Sequence, residues 1–277
     1  MNILEKYTDG LTAKDGIYFS NQTSEISYPE SGNESCFQIE QDSFWFNHRN
    51  NCIFEAVKKF APNELFFDIG GGNGFVAKAL EDSGINTVLI EPGIKGCLNA
   101  QKRGLTNIVC STLENASFKE GVIKAIGLFD VVEHIESDIT FLKYINSYLA
   151  ANGLVFITVP AFNFLWSNED VDAGHYKRYT LKSMASVLKN AGFKIEYSSY
   201  IFSILPLPVF LMRSLPSRLG LHKNSGEVDK YVKEHKTKKG IADKIMGAIW
   251  SREIKRIKSE KKIPFGGSCF IVARKSV

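Results

Sequence analysis

The chain has 277 residues, 44% of them hydrophobic, and a formal net charge of +4. This length can bury a full core, and so mild a charge does not by itself indicate a nucleic-acid partner. Five cysteines without a C-x-x-C pair argue against a disulfide framework and a zinc site, and they fit a reducing cytoplasm. No signal peptide and no apolar run of about 20 residues is visible, so we expect a cytoplasmic protein.

The N-terminal extension, residues 1–60, is polar and turn-rich until the aromatic cluster Phe44-Trp45-Phe46, which opens a predicted helix to about Phe60. From 61 to 200, strands and helices alternate, which indicates an α/β fold with a parallel sheet covered on both faces. The predicted strands are 65–69, 87–90, 107–109, 125–129, 154–159 and 193–200, and a last core strand is predicted at 268–274 within residues 266–277. Further helices are predicted at 75–83, 138–150 and 181–191.

The first strand of this core runs into a glycine turn with the pattern D-x-G-x-G-x-G, from Asp68 to Gly74. Its glycines let a ligand approach the backbone, and the following helix offers free N–H groups. Glu91 ends the next strand, 23 residues after Asp68, where an acid suits a ribose diol. Phe75 replaces the third glycine of a dinucleotide fingerprint. Because Asp68 would repel a pyrophosphate and attract an ammonium, the turn favours a nucleoside that carries an amino acid.

This motif resembles that of class I S-adenosylmethionine-dependent methyltransferases. The resemblance implies S-adenosylmethionine as the cofactor. It also implies a doubly wound, seven-stranded, mostly parallel sheet whose last strand inserts antiparallel. The cofactor-binding residues that it implies are Asp68, Gly70, Gly72, Asn73, Gly74, Glu91, Pro92, Thr112, Leu113, Phe129, Asp130 and His134.

Two of these segments depart from a simple match. Thr112 occupies the place where the family often has an acid that accepts from the adenine amine, so Leu113 is expected to contribute a backbone N–H and an apolar wall. Glu133 and His134 follow the fourth motif, where one quinone-modifying subgroup binds a divalent metal. Metal-free members often carry the same pair, and we therefore expect no metal.

The loop after the fifth strand, residues 160–180, is predicted to form the acceptor site because it combines aromatic side chains with a histidine and two cations. His175 is the best candidate for a base, since histidine titrates near neutrality without perturbation. The alternative is a histidine packed and hydrogen-bonded within the loop. Arg178 could clamp a carboxylate or phosphate, or it could pair with Asp170 or Asp172.

We therefore predict an enzyme that moves a methyl group to a hydroxyl or carboxylate oxygen of a small-molecule, glycosylated, lipid-linked or peptide acceptor. A hydroxyl requires a base such as His175, whereas a carboxylate needs only cations such as Lys177 and Arg178. One alternative is a nicotinamide-dependent oxidoreductase, which Phe75 and the lack of a Tyr-x-x-x-Lys pair disfavour. The other is a non-catalytic, cofactor-binding regulator.

Residues 201–265 form a predicted helical insertion, apolar and proline-broken at first and basic afterwards. Residues 221–262 hold 13 Lys+Arg and 6 Asp+Glu, a net +7, so the remaining chain carries 4 − 7 = −3. We expect a cap over the acceptor pocket whose basic side faces solvent or an anionic acceptor through Lys255, Arg256 and Lys258. Its apolar side would close on loop 160–180 through Leu205, Leu207, Val209, Phe210 and Leu211. The competing prediction is a weak peripheral contact with an anionic membrane.

Overall fold

The computed structural model describes residues 3–22, 36, 37, 39–221 and 241–276, without the side chains of 241–243. Its helices are α1 (Phe44–Phe60), α2 (Phe75–Asp82), α3 (Ile94–Lys102), α4 (Asp138–Tyr148), α5 (Asn168–Asp172), α6 (Leu181–Asn190), α7 (the consecutive segments Pro206–Val209, π-helical Phe210–Ser214 and Leu215–Arg218) and α8 (Ile241–Lys258). Its strands are β1 (Leu11–Lys14), β2 (Ile17–Ser20), β3 (Phe66–Ile69), β4 (Thr87–Ile90), β5 (Ile108–Cys110), β6 (Ile123–Phe129), β7 (Leu149–Pro160), β8 (Phe193–Ile201) and β9 (Ser268–Lys275).

All these strands join one sheet in the order β1-β2-β5-β4-β3-β6-β7-β9-β8. The core pairs from β5 to β7 are parallel, and β9 runs antiparallel between β7 and β8. Every residue of β3 and β4 is buried, as expected for strands covered on both faces. The predicted α/β fold and its antiparallel last strand are therefore confirmed.

The predicted number of seven strands is wrong, because the described chain places nine in the sheet. The additional two, β1 and β2, form a hairpin in the N-terminal extension, and β2 adds to the sheet parallel to β5. The hairpin turns at Asp15 and Gly16, whose φ angles are 51° and 82°. An Asp-Gly pair between two strands is a strong hairpin signal, since both turn positions require positive φ.

Helix α3 was not predicted, and strand β7 begins at Leu149, five residues before the predicted start at 154. Glycine and asparagine within α3 weaken its helical pattern. Close packing requires glycine at position 96, because a Cβ there would lie 2.8 Å from the carbonyl oxygen of Gly72. Helix α3 therefore rests directly against the glycine turn.

Within residues 201–221 and 241–265, which the structure describes, the predicted insertion forms two helices that pack in different places. Helix α8 lies against α1, where the Trp250 ring stacks on His48 at a centroid distance of 4.4 Å. Glu253 pairs with Nε2 of His48 at 2.9 Å and accepts from the backbone N–H groups of Phe202 and Ser203. Residues 222–240, which hold much of the predicted basic segment, lie outside the described residues. Among the helices that the structure describes, none is long and apolar enough to cross a membrane.

Candidate active site

A cavity of about 760 Å³ lies where the loops that follow β3, β4, β6 and β7 meet. Ligands bind beyond the carboxyl ends of the strands in such sheets. Every predicted site residue lines this cavity except Gly74. The backbone of Gly74 is left-handed, with φ +69°, and a Cβ there would lie 2.5 Å from Cδ1 of Leu105. Gly74 is therefore needed for packing beneath the cavity wall.

One part of the cavity, called here the cofactor half, is formed by the residues at 68–73, 91, 92, 112, 113, 129 and 130. Asp68 is fully buried at its base, and both carboxylate oxygens lack a hydrogen-bond partner of normal geometry among the described residues. Burial raises the pKa of Asp68 to about 7. A Cβ at Gly71 would lie 2.5 Å from Oδ2 of Asp68, so the turn above this acid must be glycine.

Glu91 fixes the second side of the cofactor half. Its two carboxylate oxygens accept from the backbone N–H groups of Gly72 at 3.0 Å and Gly93 at 2.7 Å. These bonds connect the glycine turn to the start of α3 and leave the carboxylate in the cavity wall. Burial raises the pKa of Glu91, although both hydrogen bonds lower it.

Asp130 closes the cofactor half from the other side, and it is held by a residue that the sequence analysis did not select. Its Oδ2 forms an ion pair with Arg49 of α1, and its Oδ1 accepts from Oγ1 of Thr158 at 3.0 Å. The Arg49 guanidinium lies 4.8 Å from the ring centroid of Trp45, within cation–π distance. The aromatic cluster at 44–46 was the available signal, but nothing in the sequence shows that α1 reaches the end of β6.

The remaining part of the cavity, called here the acceptor half, contains His175 and the residues around it. Nδ1 of His175 lies 2.9 Å from Oδ1 of Asp170. Arg178 donates from Nε to Oδ1 and from Nη2 to Oδ2 of the same Asp170, at 2.7 and 3.0 Å, and from Nη1 to the carbonyl of Ala161. These bonds hold the pKa of Asp170 below its usual value despite burial. Asp170 therefore orients both predicted catalytic residues.

Glu133 and His134 contribute to the same half. The ring of His134 meets that of His175 edge-on at 4.8 Å, and burial lowers the pKa of His134 to about 4. Glu133 is 1% exposed, its Oε2 has no hydrogen-bond partner among the described residues, and burial raises its pKa well above normal. Potential ligand atoms of Glu133, His134 and His175 lie within 4.8 Å of one another. The absence of a metal, expected from the sequence, stays a prediction.

Helix α7 forms the wall above the acceptor half. Leu205, Pro208, Val209 and Met212 line the cavity. Ser214 donates to the carbonyl oxygen of Leu165 at 2.8 Å, which attaches the helix to loop 160–180.

The predicted apolar side of the insertion is only partly correct. Leu207 and Leu211 are 66% and 52% exposed, and they lie on the outer side of α7. The three predicted basic residues of α8 do not line the cavity. Lys255 is exposed, Arg256 donates to the carbonyl of Lys262, and Lys258 lies 3.8 Å from Glu55.

The cofactor half fits the group that the resemblance implies. Asp68 offers an ammonium two buried oxygens that have no partner of normal geometry among the described residues, and Glu91 offers a fixed carboxylate to a ribose. The glycines of the turn place no side chain between these two carboxylates and such a nucleoside. Leu113 and Pro92 supply apolar surface for a base. These residues can bind a nucleoside that carries an amino acid, whereas the described lining of this half supplies no cation for a pyrophosphate except the paired Arg49.

Comparisons with known proteins agree with this chemistry. A family model described as a methyltransferase domain matches residues 47–198, more than half of the chain. No curated protein matches.

Solved structures share the fold. A Haloferax volcanii protein described as a methyltransferase, in complex with the activator Trm112, is 11% identical with a TM-score of 0.58, over 91% of this chain and 98% of that one. Phosphoethanolamine N-methyltransferase 2 of Haemonchus contortus, solved with S-adenosylhomocysteine, is 18% identical with a TM-score of 0.55, over 91% of this chain and 59% of that one. A Thermotoga maritima protein described as a possible histamine N-methyltransferase is 16% identical with a TM-score of 0.53, over 89% and 96%.

The family match removes the two alternatives, an oxidoreductase and a non-catalytic regulator, from consideration. Taken with a cofactor half whose acids and glycines fit the predicted group, it confirms the resemblance drawn from the glycine turn. The chain belongs to the methyltransferase domain family, and it is an enzyme that uses S-adenosylmethionine.

Proposed function

We propose that this methyltransferase acts on a hydroxyl oxygen, with His175 as the general base. The observation that carries the proposal is the 2.9 Å contact between Nδ1 of His175 and Oδ1 of Asp170, in the wall of the cavity that also contains Asp68 and Glu91. With Nδ1 bound to a carboxylate, Nε2 is the ring nitrogen left for an acceptor. A histidine oriented by a carboxylate is the usual arrangement of a base in catalysis.

Each acceptor-half residue then has a definite task. When bound, S-adenosylmethionine supplies a methyl group on a sulfonium, which needs no further activation by the protein. Nε2 of His175 takes the hydroxyl proton as the oxygen attacks, and Asp170 stabilises the imidazolium that forms. Arg178 keeps the Asp170 carboxylate in place. Such a base contributes roughly 10²- to 10⁴-fold to the rate.

A carboxylate acceptor has less support, because the two cations that would place it have other partners. Lys177 donates to Oδ2 of Asp138 at 3.1 Å and to the carbonyl of Glu136 at 3.3 Å. The guanidinium of Arg178 bonds Asp170 and Ala161 through its three nitrogens. A bound carboxylate would have to displace one of these partners.

The walls of the acceptor half favour an acceptor with an apolar body. They are lined largely by apolar side chains from three segments: Ile135, Leu165, Leu205, Val209 and Met212. We further propose that the first part of the insertion is a cap, because α7 covers this half and bonds loop 160–180 through Ser214. Excluding water strengthens the electrostatic interactions around His175.

An amine is the second candidate acceptor, since two proteins of similar fold are described as N-methyltransferases. Oε2 of Glu133 in the acceptor half, which has no hydrogen-bond partner among the residues that the structure describes, could accept from an amine N–H. An amine that is neutral at the assay pH attacks without a base. The two candidates therefore differ in their dependence on His175.

The test is a panel of acceptors with one apolar body that ends in a hydroxyl, a carboxylate or an amine, assayed with S-adenosylmethionine. We expect methylation of the hydroxyl compound, and a rate at least tenfold lower in Asp170→Asn. Asp172→Asn, a change of an exposed acid two residues further on, is the matched control and should leave the rate unchanged. Methylation of the amine alone, or equal rates in both variants, would contradict the proposal.

A further inference from the structure

The outer side of α7 and the turn that follows it carry an exposed apolar stripe. The stripe consists of five side chains that are between 37% and 66% exposed: Leu207, Leu211, Leu215, Leu219 and Leu221. Four of them recur at intervals of four residues, which places them on one side of a helix. Beside the stripe lie Phe164 and Phe265, which are 41% and 44% exposed and stack on each other at 6.5 Å. Apolar side chains grouped on one helix face differ from the singly scattered surface residues that need no explanation.

The stripe belongs to a firmly held helix. On the opposite side of α7, Pro208 and Val209 line the cavity. The buried Ser214 bonds the carbonyl of Leu165, and Arg213 pairs with Glu169 at 2.5 Å. Helix α7 is therefore apolar towards the cavity and apolar towards the outside as well. The cap explains the inner side, and the outer side needs a separate occupant.

A second copy of the chain is a poor occupant because the stripe is narrow. The 13 residues from Pro206 to Arg218 form a helix about 20 Å long and about 10 Å wide, so one face offers about 200 Å². A stable protein interface buries about 800 Å² on each partner. The composition of residues 222–240 also makes them poor candidates to cover the stripe, since their large apolar side chains are limited to Val228, Tyr231 and Val232.

A lipid bilayer requires neither a wide interface nor an apolar partner segment. A single amphipathic helix can lie in the interface with one apolar face inserted among the headgroups and acyl chains. Charge then selects the lipid, because residues 221–262, which follow α7 in the chain, carry a net +7 while the remainder carries −3. Positive charge that follows an apolar helix in the chain complements an anionic membrane surface.

We propose that the outer stripe of α7 docks the protein on an anionic bilayer. The protein then binds as a peripheral protein through this one helix. Because the inner side of the same helix is a wall of the acceptor half, docking brings a membrane-resident acceptor beside the cavity. Only this last consequence depends on the proposed hydroxyl acceptor, and the docking does not.

The experiment is co-sedimentation of the full chain with vesicles of phosphatidylcholine, with and without phosphatidylglycerol. We expect binding to the anionic vesicles that weakens as salt rises, and a loss of at least tenfold in the double variant Leu211→Glu, Leu215→Glu. Neither leucine lines the cavity. The matched control is Leu98→Glu on α3, where the leucine is 43% exposed, and it should bind like the wild type. Calorimetry with S-adenosylhomocysteine should give one affinity for all three proteins and so verify their folding.

Three results would overturn the docking. The first is no wild-type binding to anionic vesicles, and the second is undiminished binding by the double variant. The third is a dimer in sedimentation velocity that the double variant abolishes, which would assign the stripe to a second copy. A failure to methylate any hydroxyl would leave these results unaffected, so the two proposals fail separately.

Discussion

The cofactor half is formed by loops that directly follow the strands, whereas the acceptor half is assembled from segments that are far apart in the chain. Asp68 and Glu91 are placed by β3 and β4, which are neighbours in register, with Asp68 opposite Leu89. By contrast, Ser214 of α7 reaches Leu165 across 49 residues, and Arg213 of the same helix pairs with Glu169. The sheet therefore fixes the cofactor, and loops and insertions that can change independently of it select the acceptor.

The two halves also differ in the partners of their buried carboxylates. In the cofactor half, Asp68 is buried without a hydrogen-bond partner of normal geometry in the described part of the chain, which fits a cationic ligand that arrives from solution. In the acceptor half, Asp170 is bound by His175 and Arg178 in advance. We therefore expect substitutions in the first half to change cofactor binding, and substitutions in the second to change turnover.

The largest effect is expected from His175→Ala. Losing the base should lower kcat roughly 10²- to 10⁴-fold on a hydroxyl acceptor. The dissociation constant of S-adenosylmethionine, measured by calorimetry, should stay within about twofold because His175 lies outside the cofactor half. Wild-type turnover in this variant would show that another group removes the proton.

Glu91→Ala should have the converse effect. It removes a carboxylate placed for the ribose and also the bonds to Gly72 and Gly93. Since a hydrogen bond to a charged group contributes about 1.5–3 kcal/mol, the cofactor should bind about 10- to 100-fold more weakly. Glu120→Ala, at an exposed acid, is the matched control. Unchanged affinity in Glu91→Ala would place the ribose elsewhere.

Asp68 should give the cofactor half a pH dependence. Its pKa is raised to about 7, so the carboxylate is largely protonated below that value in the free enzyme. A cationic ligand prefers the ionised form, and its affinity should therefore rise up to tenfold per pH unit towards pH 7 and then level off. His134, whose pKa is lowered to about 4, is neutral from pH 5.5 to 8. Calorimetry from pH 5.5 to 8 should show this rise in the wild type and a flat, weaker profile in Asp68→Asn.

The sequence predicts the cofactor half far better than the acceptor half. Short sequence patterns predict that Asp68, the glycine turn and Glu91 lie together, because a parallel sheet brings the carboxyl ends of neighbouring strands to one edge. The pair of Asp130 with Arg49 depends on how α1 packs across the sheet, and no local pattern encodes that packing. The β1–β2 hairpin is a different case, since its Asp-Gly turn was visible in the sequence.

The insertion shows the same limit. Its apolar start predicts one apolar side that packs on loop 160–180. In the structure, α7 has two apolar sides, and Leu211 lies on the outer one. Prolines at 206, 208 and 216 and the π-helical turn between them change which residues face inwards. Composition can therefore predict that a cap exists without predicting which residues line the cavity.

The smallest effect is expected at the attachment of the cap. Ser214→Ala removes the hydroxyl that donates to Leu165 and leaves a buried carbonyl without that bond, at a cost of about 1 kcal/mol in the free energy of unfolding measured with urea. Because the bond holds α7 above the acceptor half alone, KM for the acceptor should rise while cofactor affinity stays constant. Ser83→Ala is the matched control, since that exposed hydroxyl bonds only within its own helix, to the carbonyl of Ala79. An equal change in cofactor affinity would mean that α7 supports both halves, and the division of the cavity would then be wrong.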